Sequence, residues 1–167
     1  MDFAGVFRII EKGIDTVARY DAPIGTTCFD SVFDFSVSDI QEVAARYGLN
    51  QRWRQFSVKD WRFLILDTTD ISLYGRPKGA PEYAAAEEML LGLHDQKAPN
   101  AYSWNSGCSQ AQLDWIDRTL SEADRRSERV ICFAHHPVFP ASDAHNLWNA
   151  EEVRRILAQH PSVVAFF

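Results

Sequence analysis

Two adjacent histidines, His135 and His136, close the run Val130-Ile-Cys-Phe-Ala134 and are followed at once by Pro137. Imidazole is the commonest metal ligand and the one side chain that titrates near neutrality. A short apolar run ending in turn chemistry reads as a buried strand. Polar residues placed where such a strand emerges are where α/β sheets hold their ligands. Metal ligation is therefore the chemistry to test for, with ordinary loop histidines as the plain alternative. A catalytic metal wants three or more protein ligands, so the pair needs help. Asp67 and Asp70 stand at the exit of a second strand-like run, Trp61-Arg-Phe-Leu-Ile-Leu66, and could supply carboxylates; turn capping is their competing use. Asp143-Ala-His145 has the Asp-x-His spacing of many metal sites but lies in a loop beyond the histidine pair, and is read as a decoy. His94 and His160 fall near helix C-termini, where a cation complements the dipole. Cys132 lies mid-strand and reads as a core thiol rather than a nucleophile. There is no phosphate-cradling glycine loop and no nucleophile elbow.

The elements that must position these residues alternate along the second half of the chain. Strands are expected over Trp53 to Val58 and Trp61 to Asp67, joined by a tight turn at Lys59-Asp60 that lacks the usual glycine. A helix over Pro81 to His94 follows a Gly/Pro loop at 74 to 81. The polar, aromatic-bearing loop from Gln96 to Cys108 is too long for a simple connector. Ser109 then caps a helix from Gln110 to about Arg126, the histidine-bearing strand follows, and a helix from about Asn149 to Gln159 leads into a last strand at Val163 to Phe167. This alternation predicts an α/β sheet. Upstream, Phe3, Val6, Phe7, Ile10, Ile14 and Val17 predict an amphipathic helix. Ile24 to Phe29 reads as a short strand, and Ser38 as the cap of a helix through Tyr47.

The chain has 167 residues, 46% hydrophobic and 24% charged, ordinary values for a single soluble globular domain. A net charge of −6 argues against a nucleic-acid partner, which needs a basic face, but not against a phosphate-bearing substrate, since bound metal ions reverse the local field. Cys28, Cys108 and Cys132 are odd in number and widely spaced, which suits a reducing compartment. No signal-peptide pattern and no membrane-length apolar run is present. The expectation is a cytoplasmic protein without a membrane partner.

Taken in order, three stretches resemble the calcineurin-like metallophosphoesterases, and among them the manganese-dependent ADP-ribose/CDP-alcohol diphosphatases. They are Phe63-Leu-Ile-Leu-Asp-Thr-Thr-Asp-Ile-Ser72, then Asn105-Ser-Gly-Cys-Ser-Gln-Ala-Gln-Leu-Asp-Trp-Ile116, and then Ala134-His-His-Pro-Val-Phe-Pro-Ala-Ser-Asp143 with Leu147-Trp-Asn149 and Val163-Val-Ala-Phe-Phe167. The second is like the family's Asn-Gly-Gly segment leading into a Gln-Leu-x-Trp-Leu helix. The resemblance covers about 43–167, with 1–42 matching weakly. It implies a partial αββα sandwich of mixed sheets flanked by helices, as a single domain over 1–167.

It further implies metal-assisted hydrolysis of a phosphoanhydride in a small nucleoside-diphosphate-linked substrate of ADP-ribose or CDP-alcohol type. Two divalent metals, manganese first with iron or zinc as alternatives, would clamp the phosphate while a metal-bound hydroxide attacks phosphorus in line. The histidine two places before the proline is a metal ligand in that family, and this match falls on His135. His136 aligns with a variable position and becomes a substrate neighbour. Asn105, Trp148 and Asn149 become substrate-side candidates because they sit in segments peculiar to this branch.

The departures weigh as much. The family's Asp-x-His and Gly-Asp-x-x-Asn motifs would precede residue 1, and its Gly-His-x-His would follow Phe167. Its Gly-Asn-His-Asp/Glu motif should fall near Phe29-Asp30-Ser31-Val32, where Ser31 occupies the place of the catalytic histidine and cannot match it as an acid. The expectation is a chain truncated at both ends, holding about one of the required ligands and inactive alone. The rival is a degenerate, non-catalytic binding domain.

Overall fold

The computed structural model describes residues 52–167. The helices expected over 3–20 and 38–47, the strand over 24–29, and Asp30 with Ser31 lie outside the described residues.

Trp61 to Ile65, the most strand-like run of the sequence, becomes an interior strand. In chain order the elements are β1 (Arg54–Val58), β2 (Trp61–Ile65), α1 (Pro81–Asp95), α2 (Gln110–Arg125), β3 (Arg129–Phe133), α3 (Ala150–Gln159) and β4 (Val163–Phe166). They form one four-stranded sheet in the order β1-β2-β3-β4. β1 pairs antiparallel with β2 in register Val58 to Trp61, and β2 with β3 and β3 with β4 pair parallel. The expected mixed α/β sheet flanked by helices is therefore present.

Local chemistry explains the joints. β1 and β2 meet through Lys59-Asp60, and without a glycine Lys59 itself takes φ 56°, which costs on the order of 1 kcal/mol for an L side chain. Parallel strands need long crossovers; α1 and α2 lie between β2 and β3, and α3 between β3 and β4. α2 and α3 cover one face of the parallel strands, burying Leu64, Val130 and Cys132. Ser109 caps α2 by accepting from Gln112 N at 3.3 Å, a contribution of about 1 kcal/mol.

The core lies where α2 packs on β3 and α3. Leu113, Ile116 and Leu120 recur at helical spacing and bury against Leu64, Val130, Cys132, Val153 and Ile156. Truncating any of these large side chains would cost about 2–5 kcal/mol. A smaller cluster seats α1, through Ala86, Met89 and Leu90, on Ile71 and Trp148. The stretch after β2 is stitched to the long loop by Ile71 N to Gly107 O at 2.9 Å and the reciprocal bond at 2.8 Å. Gly107 is needed there: a Cβ would lie 2.8 Å from Met89 Sδ and 3.2 Å from Asn149 Oδ1.

Candidate functional site

β2 and β3 run parallel with Ile65 opposite Phe133, and Leu66 N donates to Phe133 O at 2.9 Å just beyond β2. Residues 67–70 and 134–137 therefore leave the sheet side by side, at the carboxyl edge where such sheets bind ligands.

The two histidines part company at that edge. His135 is exposed, whereas His136 is only 7% exposed. Their rings meet edge to face, 4.9 Å between centroids and 87° between planes. His136 N donates to Thr68 Oγ1 at 3.3 Å, and His136 Nδ1 lies 3.0 Å from the same oxygen. Ser106 Oγ stands 3.4 Å from Nδ1, donates to the Thr68 carbonyl and accepts from the Tyr74 hydroxyl at 3.2 Å. Burial, with a smaller push from His135, lowers the His136 pKa to about 4 against a hydrogen bond to the Trp104 backbone. The imidazole is neutral at physiological pH.

Asp67 and Asp70, expected as possible carboxylate ligands, are already engaged. Asp67 Oδ1 accepts from Thr69 N at 2.9 Å and Thr69 Oγ1 at 2.7 Å, an Asx turn. Its Oδ2 lies 3.0 Å from Arg52 Nε without hydrogen-bond alignment, so this contact is one of charge. Asp70 Oδ1 accepts from Arg52 Nη2 at 2.6 Å, and its Oδ2 from Ser109 N at 3.0 Å and Gln112 Nε2 at 3.4 Å. The turn-capping reading prevails over the ligand reading, because these carboxylates cap backbone N–H groups and share one buried guanidinium.

Gln112, Thr68, Ser106 and Arg52 were not legible as site residues. Gln112 is fully buried and clasps the Asp67 backbone, accepting from its N–H and donating to its carbonyl, both at 2.8 Å. Its place in the Gln-Leu-x-Trp segment of the resemblance was the available signal. The others offered none, since a lone Thr, Ser or Arg is ordinary anywhere.

The substrate-side candidates hold the scaffold. Asn105 Nδ2 donates to Asn100 O at 3.0 Å and Ala144 O at 2.7 Å, and the residue is 1% exposed. Trp148 is buried and its Nε1 donates to Tyr102 O at 3.1 Å. Asn149 brackets Cys108, accepting from its N–H at 3.0 Å and donating to its carbonyl at 2.9 Å. Exposed aromatic surface lies beside them instead. Tyr102 and Trp104 stack at 4.0 Å and 14°, and both are exposed, as is Phe139.

The remaining candidates fall elsewhere. Asp143 Oδ1 accepts from His145 N at 2.8 Å and faces His145 Nδ1 at 3.1 Å, a self-contained pair in an exposed loop. His94 is exposed in the last turn of α1. His160 does more than complement a dipole: it is buried, with Nδ1 2.6 Å from Asp124 and Nε2 3.1 Å from Asp117, both on α2. Cys108 and Cys132 are buried free thiols; burial pushes Cys132 up to about 12 and Cys108 upward too, so neither is a nucleophile.

Among the described residues, no three or more His, Cys, Asp or Glu side chains gather in a group that could hold a metal ion. By themselves these residues do not fit a two-metal centre. No helix among them is long and apolar enough to cross a membrane.

No protein-family model matches the chain. Individual proteins do. The manganese-dependent ADP-ribose/CDP-alcohol diphosphatase of Xenopus tropicalis is 36% identical over 121 residues, 64% of this chain and 34% of that protein. The Arabidopsis thaliana protein of the same name is 33% identical over 171 residues, 92% of this chain and 54% of that protein. The chain thus spans from about a third to about half the length of these relatives. The crystal structure of a dimetal phosphatase from Danio rerio superposes with a TM-score of 0.69 at 25% identity, covering 81% of this chain and 50% of that one. In sequence and in fold, this chain is a relative of the metallophosphoesterases, through their manganese-dependent ADP-ribose/CDP-alcohol diphosphatases.

Proposed function

We propose that this chain forms part of a metal-dependent phosphoesterase that hydrolyses a phosphoanhydride of a small nucleoside-diphosphate-linked substrate, of ADP-ribose or CDP-alcohol type. Its contribution to the metal centre is His135, with manganese as the metal. The observation that carries the reading is the exposed His135 at the carboxyl edge of β3, in a chain related to diphosphatases. The stacked, exposed Tyr102 and Trp104 supply a flat π surface of the kind on which nucleobases stack, and the Trp104 backbone borders His136. Asn105, Trp148 and Asn149 serve this site by holding its loops rather than by contact.

One histidine cannot hold a catalytic metal, so turnover requires ligands that the described residues do not supply. The test is manganese-dependent release of AMP from ADP-ribose by the 167-residue chain, beside manganese titration followed by histidine NMR. Selective broadening of His135 without turnover is the expected result. Turnover that survives His135→Ala would overturn the assignment.

A second reading has an observation in its favour. Arg52 lies against both Asp67 and Asp70, drawing this pair of carboxylates into the scaffold, as a binding domain without catalysis would permit. ADP-ribose binding indifferent to manganese and to chelator would favour that reading.

A further inference from the structure

His136 has no place in the ligand set, yet it is the buried member of the histidine pair and its ring nitrogens are spoken for. The hydroxyl inventory around it assigns its tautomer. Each hydroxyl has one proton and two acceptor sites. Ser106 spends its proton on the Thr68 carbonyl, so at 3.4 Å it has none left for His136 Nδ1. Thr68 Oγ1 accepts the His136 backbone N–H and keeps its own proton for Nδ1, 3.0 Å away. Were Nδ1 protonated, the Thr68 oxygen would accept twice and leave a buried hydroxyl proton without an acceptor, a cost of about 1–3 kcal/mol. Nδ1 is thus the lone-pair nitrogen, and Nε2 carries the proton.

The ring so fixed presses edge to face on His135, whose own side chain is exposed. An exposed imidazole would otherwise sample several rotamers, each a loss of order on binding. We propose that His136 is a positioning residue: held as the Nε2–H tautomer by Thr68, it fixes the ring orientation of His135. Ser106 acts on this device only through the Thr68 backbone, whose carbonyl takes its proton. The consequence for metal binding rests on the reading of His135 as a ligand, whereas the ring order itself does not.

The experiment is imidazole nitrogen NMR on the full chain, with side-chain coupling constants for His135. Expected are an Nε2–H pattern for His136 and a single χ1 for His135. Thr68→Val should average the His135 rotamers and Thr68→Ser should restore them, with unchanged melting between the last two proteins and wild type as the control for folding. Manganese affinity at His135 should fall about tenfold in Thr68→Val and recover in Thr68→Ser, the scale on which supporting residues tune metal ligands. An Nδ1–H pattern, or His135 order untouched by Thr68→Val, overturns the proposal. Should Thr68→Val not fold, His136→Asn decides, since it keeps an acceptor near the place of Nδ1 but removes the ring that presses on His135: order lost supports the device, order retained overturns it. Absence of manganese broadening at wild-type His135 would remove the ligand reading, and the ring-order result would still judge this one.

Discussion

Arg52 Nη2 donates to Asp70 Oδ1 across 2.6 Å, tying the residue two places before β1 to the exit of β2. The same guanidinium lies against Asp67, and all three side chains are nearly buried. Removing one partner of a buried ion pair leaves an uncompensated charge, which costs about 3–5 kcal/mol. Arg52→Ala should therefore lower stability by about that amount in urea unfolding, and Arg52→Ala combined with Asp70→Asn should recover part of it. A loss below about 1 kcal/mol, the range of exposed pairs, would show that the cluster is solvated in solution.

The Gly107 bridge admits a sharper test of packing. A methyl at Gly107 meets the Met89 sulfur and the Asn149 side-chain oxygen at once. Overpacking of this kind costs about 1–3 kcal/mol. Gly107→Ala should destabilise on that scale, and adding Met89→Ala should relieve only the sulfur part, because Asn149 remains tied to Cys108 on both sides. Full recovery in the double variant, read by thermal melting, would show that Asn149 yields freely.

His160 predicts a pH dependence with a definite sign. Burial alone would lower its pKa, but the hydrogen bonds to Asp124 and Asp117 outweigh burial and raise it above 6.5. A raised folded pKa means stability that is fully present below the unfolded value and lost as pH rises through the folded one. The stability difference between wild type and His160→Gln should thus be larger at about pH 5.5 than at about pH 9, on either side of the ordinary histidine range. A difference that grows with pH would contradict the pairing.

Manganese should also separate the histidines. His135→Ala is expected to abolish the selective paramagnetic broadening, and His145→Ala to leave it intact, because His145 and Asp143 satisfy each other in an exposed loop. Broadening centred on His145 would transfer the site to the Asp-x-His pair.

Trp104 is the corresponding test on the substrate side. Base-aromatic stacking contributes about 1–3 kcal/mol per base, so Trp104→Ala should weaken ADP-ribose binding by roughly tenfold or more, read by calorimetry, while Phe56→Ala, on β1, should not. Equal affinity in both variants would remove the aromatic pair from the site.

Much of this was legible in residue order. The boundaries of α1, α2 and β3 follow from Pro81, from Ser109 and its apolar face at 113, 116 and 120, and from the Val130 to Phe133 run ending at two histidines. These are local signals, in which propensity, capping and period agree within a few residues. Only the tertiary structure decided which histidine is exposed, since that depends on Thr68 and Ser106 arriving from 68 and 30 residues away. It alone showed Asp67 and Asp70 sharing Arg52, and Asn105, Trp148 and Asn149 hydrogen-bonded to the backbone of distant loops. A side chain's type announces what it can bond to; what it does bond to is settled by the distant groups the fold brings within 3 Å, and that competition has no period or motif to read.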